Sequence, residues 1–304
     1  MVIRSFAELE QAVATLPPLR LAIAGGDDPA TLAALQVAMS RGLVSEAFLT
    51  GDPVRMRAAV TPALHARLHI AECADAGIAA RLAVAEVAAG RADVLVKGQV
   101  DSAAYLRAVV ARETGLRMGA TLSNVTMAEM PSIPRLIGAT DNGITPLPTL
   151  AQKRDMILNA LPLFRGLGIT PLRVAAIAAS EKISAAQPAT TDAAALATDP
   201  GLEGAVVAGP FGYDVALSPE AARIKGLAQS PVAGRADLIL FPSLEAGNAT
   251  VKAWKLHGQA RTASLVLGAR VPVLLNSRAD GPDQRWLGLL LAAALRAGLS
   301  RAGG

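Results

Sequence analysis

Aromatic side chains are nearly missing from this chain of 304 residues, at 3% of the total. A core without rings has to be filled by alanine, valine, leucine and isoleucine, and hydrophobic residues make up 52%. Cysteine occurs once, at Cys73, which excludes an intramolecular disulfide and argues against a zinc cluster. Histidine occurs three times, as His65, His69 and His257. His65 and His69 are spaced to share a helix face, but with no third ligand beside them they read as ordinary, partly exposed side chains.

Charge of one sign is also in short supply. Lys and Arg number 29 against 25 acidic residues, a net charge of +4. No basic run stands out, which excludes a nucleic-acid stripe. A mildly cationic cleft for an anionic small molecule fits this balance, and so does a solvated surface with a slight basic bias. Charges, glycines or prolines interrupt every long apolar run, and Met1–Arg20 lacks a secretory pattern. The expectation is a soluble protein of a reducing compartment, most simply the cytoplasm, with no membrane partner.

What is present is an alternation of strand and helix patterns. "RLAIAGG" reads as a buried strand, and "DDPATLAALQVAMSRG" as a helix with Asp27 or Asp28 as N-cap, Pro29 in its first turn and Gly42 as terminator. "EAFLTGDP", "ADVLVKG", "RVAAIAAS", "GAVVAGPFGYD", "RADLILFPSLEAGN" and "VPVLLNSRAD" continue the strands, with "AARLAVAEVAAG" a helix stopped by Gly90. Strands alternating with helices of this length predict βαβ units, an α/β fold with mainly parallel sheets. The length predicts two domains. "DNGITPLPTL" (Asp141–Leu150) is the best candidate for a crossing between them. "GRADVLV" and "GRADLIL" echo each other as helix-stop-strand junctions.

Polar residues gather just past the carboxyl ends of these strands: Lys97; Ser180, Glu181 and Lys182; Asp214; Glu245 and Asn248; Ser277, Arg278 and Asp280. Any one cluster is explained by capping or solvation. Five on one edge predict a ligand cleft, because in open parallel sheets ligands bind beyond that edge. Thr190, Thr191 and Asp192 offer hydroxyls and a cap near a helix start. Gly247 permits close backbone approach. A guanidinium such as Arg278 suits bidentate contact with phosphate or carboxylate.

The pieces "VLVKGQVDSAAYLR", "SEKISAAQPATTDAAAL", "GPFGYDVALSPEAARIKG", "SPVAGRADLILFPSLEAGNATVKAWK" and "VPVLLNSRADG", in this order, resemble the phosphate acetyl/butyryltransferase family. The likeness runs from about Arg91 to the C-terminus, with the block Lys225–Asp280 the most specific. It implies an enzyme that moves an acyl group between coenzyme A and inorganic phosphate, acyl-CoA + phosphate = acyl phosphate + CoA. It also implies two α/β domains facing a cleft, related to isocitrate and isopropylmalate dehydrogenases, a homodimer, and no required metal or redox cofactor. Coenzyme A, acyl-CoA, phosphate and acyl phosphate are then the partners. The domains are expected at 1–142 with 265–304, and at 143–264.

Ser277 and Arg278 correspond to the family's active-cleft pair, with the arginine on the phosphoryl group. Asp280 is the candidate base, with a helix cap as the equal alternative. Lys97, Thr190, Asp214, Glu245, Asn248 and Arg135 are candidate substrate contacts, Lys97 ahead of Arg135. The chain departs from the family in three places. The spacing of the acetyl branch's base lands on Gln284; "SRADG" is nearer the butyryl-type "SRADS". A usual Ser-His is Ser123–Asn124, and Met-Pro-x-Thr is Gln187–Pro188–Ala189–Thr190. The alternatives are an acyl-carrier-protein phosphate acyltransferase or a nicotinamide-dependent dehydrogenase on a related fold, or a catalytically weak binding module. No G-x-G-x-x-G supports the dehydrogenase.

Overall fold

Apolar runs bounded by glycine and aspartate become strands, most of them followed by a helix that an aspartate, serine or threonine often starts. The computed structural model describes residues 2–119, 121–275 and 280–300. The chain opens with α1 (Phe6–Val13), β1 (Leu19–Ala24), α2 (Pro29–Ser40), β2 (Val44–Gly51), α3 (Pro53–Ala59), β3 (Leu68–Glu72), α4 (Ala76–Ala88), β4 (Val94–Lys97) and α5 (Ser102–Val110). Its middle supplies β5 (Ser123–Met130), β6 (Ile133–Thr140), α6 (Leu150–Gly166), β7 (Leu172–Ile177), α7 (Pro188–Ala197), β8 (Ala205–Phe211), α8 (Tyr213–Leu217), α9 (Pro219–Ile224), β9 (Leu238–Leu240) and α10 (Leu244–Leu256). It ends with β10 (Arg261–Leu267), β11 (Val273–Leu274) and α11 (Pro282–Ser300).

These elements form two units. A split unit holds Ala7–Gly119 and Ala263–Gly304, and a central unit holds Met1–Phe6 and Ala120–Thr262. In the split unit the strand order is β3-β2-β1-β4-β11-β10, parallel throughout except for the β11–β10 pair. In the central unit it is β5-β6-β9-β7-β8, with only β5–β6 antiparallel. The fold is thus mixed α/β with mostly parallel strands, as the alternation requires. Residues 120–142, which the sequence reading assigned to the first domain, build β5 and β6 of the central unit. The run Asp141–Thr149 joins β6 to α6 within that unit.

The inner parallel strands β1, β4 and β9 are buried on both faces, which is why they read as continuous apolar runs rather than alternating ones. In the split unit Leu21, Ile23, Leu49, Leu95 and Tyr105 are fully enclosed. Alanines at 79, 80 and 83 let α4 lie close on its strands. In the central unit Ala128, Ile137, Ile239, Val251 and Trp254 join β5, β6, β9 and α10 into one cluster.

Four helices of the split unit begin on an aspartate. Asp28, Asp52, Asp75 and Asp101 accept first-turn N–H groups of α2, α3, α4 and α5. Asp28 rather than Asp27 is the cap, Pro29 opens the helix, and Gly42 and Gly90 follow their helices with positive φ. One expectation fails. His65 lies in the short 3-10 turn Pro62–Arg67 and His69 in β3, so they share no helix face. The chain becomes extended at Leu68, and His65 Nε2 turns to the Arg57 and Val60 carbonyls at the end of α3.

Candidate active site

The carboxyl edge of the split unit is set by β4 and its neighbours. Lys97 is the last residue of β4, 5% exposed, with its Nζ donating to the Gly98 carbonyl at 3.3 Å. Gly98 is required there, because a Cβ would overlap the Gly25 carbonyl oxygen where the ends of β1 and β4 meet. Strand β11 pairs in parallel with β4, Leu274 opposite Val96, so the chain arrives at the same edge as Lys97. Ser277 and Arg278 follow directly and lie outside the described residues.

Asp280 precedes α11. Gly281 occupies the cap position of that helix: its carbonyl accepts the Arg285 N–H, and its own N–H donates to Gln284 Oε1 at 3.0 Å. Gln284, where the acetyl branch carries its base, therefore serves the helix start. Farther along the same edge, a cavity of about 480 Å³ at the ends of β1, β2 and β3 is acidic. Asp27, Asp52, Glu72 and Asp75 line it against Arg55. Phosphate is disfavoured there, which leaves Lys97 as the cationic strand end.

The carboxyl edge of the central unit carries a buried polar network that sequence reasoning did not find. Antiparallel pairing of β5 with β6 places Thr126 opposite Ala139 and so brings Asn124 beside the chain leaving β6. Asn124 Nδ2 donates to Asn142 Oδ1 at 2.8 Å, and Asn142 Nδ2 donates to Thr126 Oγ1 at 3.0 Å. The Thr140 hydroxyl donates to the Asn124 carbonyl at 2.9 Å. Asp141, 1% exposed, accepts N–H groups of Gly143 at 2.7 Å, Ile144 at 2.9 Å and Asn124 at 3.2 Å. Burial raises its pKa, and the backbone donors offset only part of that. The signal was polar residues in "SNVT" and "TDN" at the ends of apolar runs, which a buried strand tolerates only when paired.

Helix α10 packs on this network. Asn248 Nδ2 donates to the Asn142 carbonyl at 3.1 Å, and a Cβ at Gly247 would overlap the Asp141 carbonyl oxygen. Glu245 stands exposed in the first turn of α10, whose N-cap is Ser243. Asn248 thus holds the loop after β6 in place, with Glu245 one turn away.

The remaining predicted residues have other partners. Lys225 Nζ bridges Glu181 at 2.9 Å and Asp214 at 3.1 Å, joining the ends of β7 and β8. The Lys225 hydrogen bond holds the Glu181 carboxyl down. For Asp214 burial pulls upward and is the largest single effect, but Lys225 and backbone N–H donors together outweigh it and the net shift is downward. Thr190 is fully buried: its Oγ1 accepts from Ser184 N at 2.9 Å and faces the Gln187 and Ser184 carbonyls at 2.8 and 3.1 Å. Its hydroxyl fastens the loop before α7. Asp192 is not the cap, since α7 begins at Pro188; it pairs with Lys153 of α6 at 2.6 Å.

Arg135 is placed elsewhere altogether. It sits near the start of β6, at the amino edge, and donates through Nε and Nη2 to the Ala236 carbonyl at 3.3 and 3.1 Å. A substrate role at the carboxyl edge does not fit this position. Its pattern, an arginine in an apolar run, gave no sign of which end of the strand it would occupy.

The family described as "Phosphate acetyl/butaryl transferase" matches residues 75–285. A phosphate butyryltransferase of Clostridium acetobutylicum is 35% identical over 300 residues, 96% of this chain and 98% of that protein. The chain belongs to this family. A phosphate acetyltransferase of Thermotoga maritima is 38% identical over 218 residues, 71% of this chain and 74% of its own. A branched-chain phosphotransacylase from Enterococcus faecalis superimposes with a TM-score of 0.82 at 26% identity, covering 91% of this chain and 99% of that one. The chain is accordingly an enzyme, a phosphate acyltransferase, whose family reaction moves an acyl group between coenzyme A and phosphate. No helix among the described residues is long and apolar enough to cross a membrane.

Proposed function

We propose that this chain is a butyryl-type phosphate acyltransferase in which Lys97 and Arg278 neutralise the phosphoryl group. Ser277 donates to the developing acyl oxyanion, and Asp280 takes the thiol proton of coenzyme A. The observation that carries this reading is the buried ammonium of Lys97 at the end of β4, in register with the strand that runs on to Ser277 and Arg278. A free thiol, with a pKa of about 8.5, is only slightly ionised at neutral pH, so a carboxylate and a positive field both assist its attack. Cations on the phosphate lower the cost of its charge in either direction, and a donor aimed at the oxyanion lowers the barrier itself.

In the central unit, Asn248 and the network beneath it hold the loop after β6, while Glu245, Asp214 and the Lys225 bridge present the polar groups of that edge to coenzyme A. Thr190 contributes by fixing the 180–187 loop. The reading needs no resident metal or redox group. It is completed by a homodimer in the cytoplasm and by two domains of the isocitrate and isopropylmalate dehydrogenase type. Likeness to a phosphate butyryltransferase along nearly the whole chain supports a four-carbon acyl group over acetyl.

The test is thiol release from acetyl-, propionyl- and butyryl-CoA with phosphate. The expected result is the highest kcat/KM with butyryl-CoA, and a loss of about 10²–10³-fold in Arg278→Ala. Turnover of Arg278→Ala near wild type would overturn the phosphate assignment, and preference for acetyl-CoA would overturn the acyl assignment.

A further inference from the structure

At the amino edge of the central unit, a cavity of about 500 Å³ opens among Arg4, Arg135, Arg173 and Arg235, with Asp237 the lone carboxylate. Four guanidinium groups against one carboxylate leave a formal charge of +3 (4 − 1) on the lining. Asp237 is already committed, since both of its oxygens accept from Arg173 at 2.8 Å.

Arg135 is half-buried. Its two contacts both go to one carbonyl, that of Ala236. A guanidinium has five N–H donors, and among the described residues the other three of Arg135 meet no acceptor. Burial lowers its pKa, Asp237 pulls it back, and the charge of Arg173 lowers it again. Arg235, exposed at the rim, makes no side-chain hydrogen bond among the described residues. Like charges gathered around one cavity repel, and an anion among them relieves that repulsion.

The rest of the wall is mostly apolar and includes Leu136, Ile169 and Pro171, with Thr170 the polar exception. The volume lies within the range of about 300–1,000 Å³ usual for small-molecule sites. Planar forks match phosphate oxygens bidentately, and the apolar wall suits a hydrocarbon or aromatic body. The site is distinct from the carboxyl edge: from Arg135 to Thr140, β6 runs roughly 16 Å. We propose that this arginine-lined cavity binds a small phosphate monoester with an apolar body, independently of the acyl-transfer site.

The test is calorimetric titration of the full-length protein with phenyl phosphate, alongside phenol as the uncharged probe. Phenyl phosphate should bind and phenol should not. Arg135→Gln and Arg235→Gln should each weaken binding by about tenfold or more, the scale of a lost charged hydrogen bond. Arg278→Ala should leave binding in place. Because Arg235 is exposed, Arg235→Gln should also keep wild-type acyl transfer and wild-type melting, which separates loss of the site from loss of the fold. Absence of binding in wild type, unchanged affinity in both cavity variants, or loss of binding in Arg278→Ala would overturn the proposal.

Discussion

Arg173 holds Asp237 at the amino edge of the central unit through its backbone N–H and two guanidinium nitrogens, at 3.1, 2.8 and 2.8 Å. Arg20 holds Asp93 in the split unit with the same three groups, at 2.9, 3.0 and 2.8 Å. The strand registers also agree, Val174 facing Leu238 and Leu21 facing Val94. The echo between "GRADVLV" and "GRADLIL" is therefore a structural device used twice: the aspartate before one strand is clasped by the arginine that begins its parallel neighbour.

Breaking that clasp should be costly. The Asp237 side chain is 3% exposed, while Arg173 reaches solvent at 37%. Asp237→Ala is expected to lower stability by about 2–3 kcal/mol, below the figure for a fully buried pair because the guanidinium can rehydrate. Arg91→Ala, which breaks the exposed bridge to Glu86, should cost under about 1 kcal/mol. Urea denaturation midpoints measure both, and equal losses would contradict the assignment.

Two aspartates, Asp93 half-buried and Asp141 buried, should give pH dependences of opposite sign. For Asp93, burial pulls upward, but the hydrogen bonds and charge of Arg20, with Arg296, set its pKa below the model-peptide value of 3.8. Its contribution is in place above that value and is lost as pH falls through the folded pKa. For Asp141 burial wins and the folded pKa lies above 3.8. Its contribution is largest below 3.8 and falls away as pH rises through the folded value. Stability measured from about pH 3 to pH 6 should show the wild-type advantage over Asp93→Asn growing with pH, and that over Asp141→Asn shrinking.

Gly247→Ala tests the seat of α10. The added methyl meets the backbone oxygen of Asp141, which a side-chain rotation cannot relieve. A destabilisation of about 1–3 kcal/mol is expected from overpacking. Turnover should fall with it, because the loop after β6 and Asn248 shift together. Activity and melting at wild-type levels would show that α10 does not need this contact.

Thr190 separates binding from support. Its hydroxyl has protein partners on every side, so Thr190→Val should cost about 1–2 kcal/mol for unpaired groups in the 184–187 turn. Thr190→Ser should restore most of that. If KM for coenzyme A rose in both variants with no change in stability, Thr190 would be a substrate contact instead.

The one-dimensional pattern was enough for seven of the strands, β1, β2, β4, β7, β8, β9 and β11, for their mostly parallel direction, and for the lysine, glutamate and asparagine at or beyond carboxyl ends; it did not reveal β3, β5, β6 or β10. Period, glycine stops and aspartate caps are local, and local rules carry them. The Asn124–Asn142–Thr126 network was not legible because it arises where β5 folds back on β6, joining residues 16–18 positions apart. Thr190 looked like a free hydroxyl until its turn closed around it. Arg135 looked like its neighbours in composition but lies at the other end of its strand.

The amino-acid sequence by itself determined the alternation of parallel strands and helices, and it carried the family motifs, since both depend on neighbours along the chain. Only the tertiary structure decided which polar side chains keep donors to spare and which are consumed holding loops. Hydrogen-bond partners are chosen by strand pairing and packing, not by spacing along the backbone.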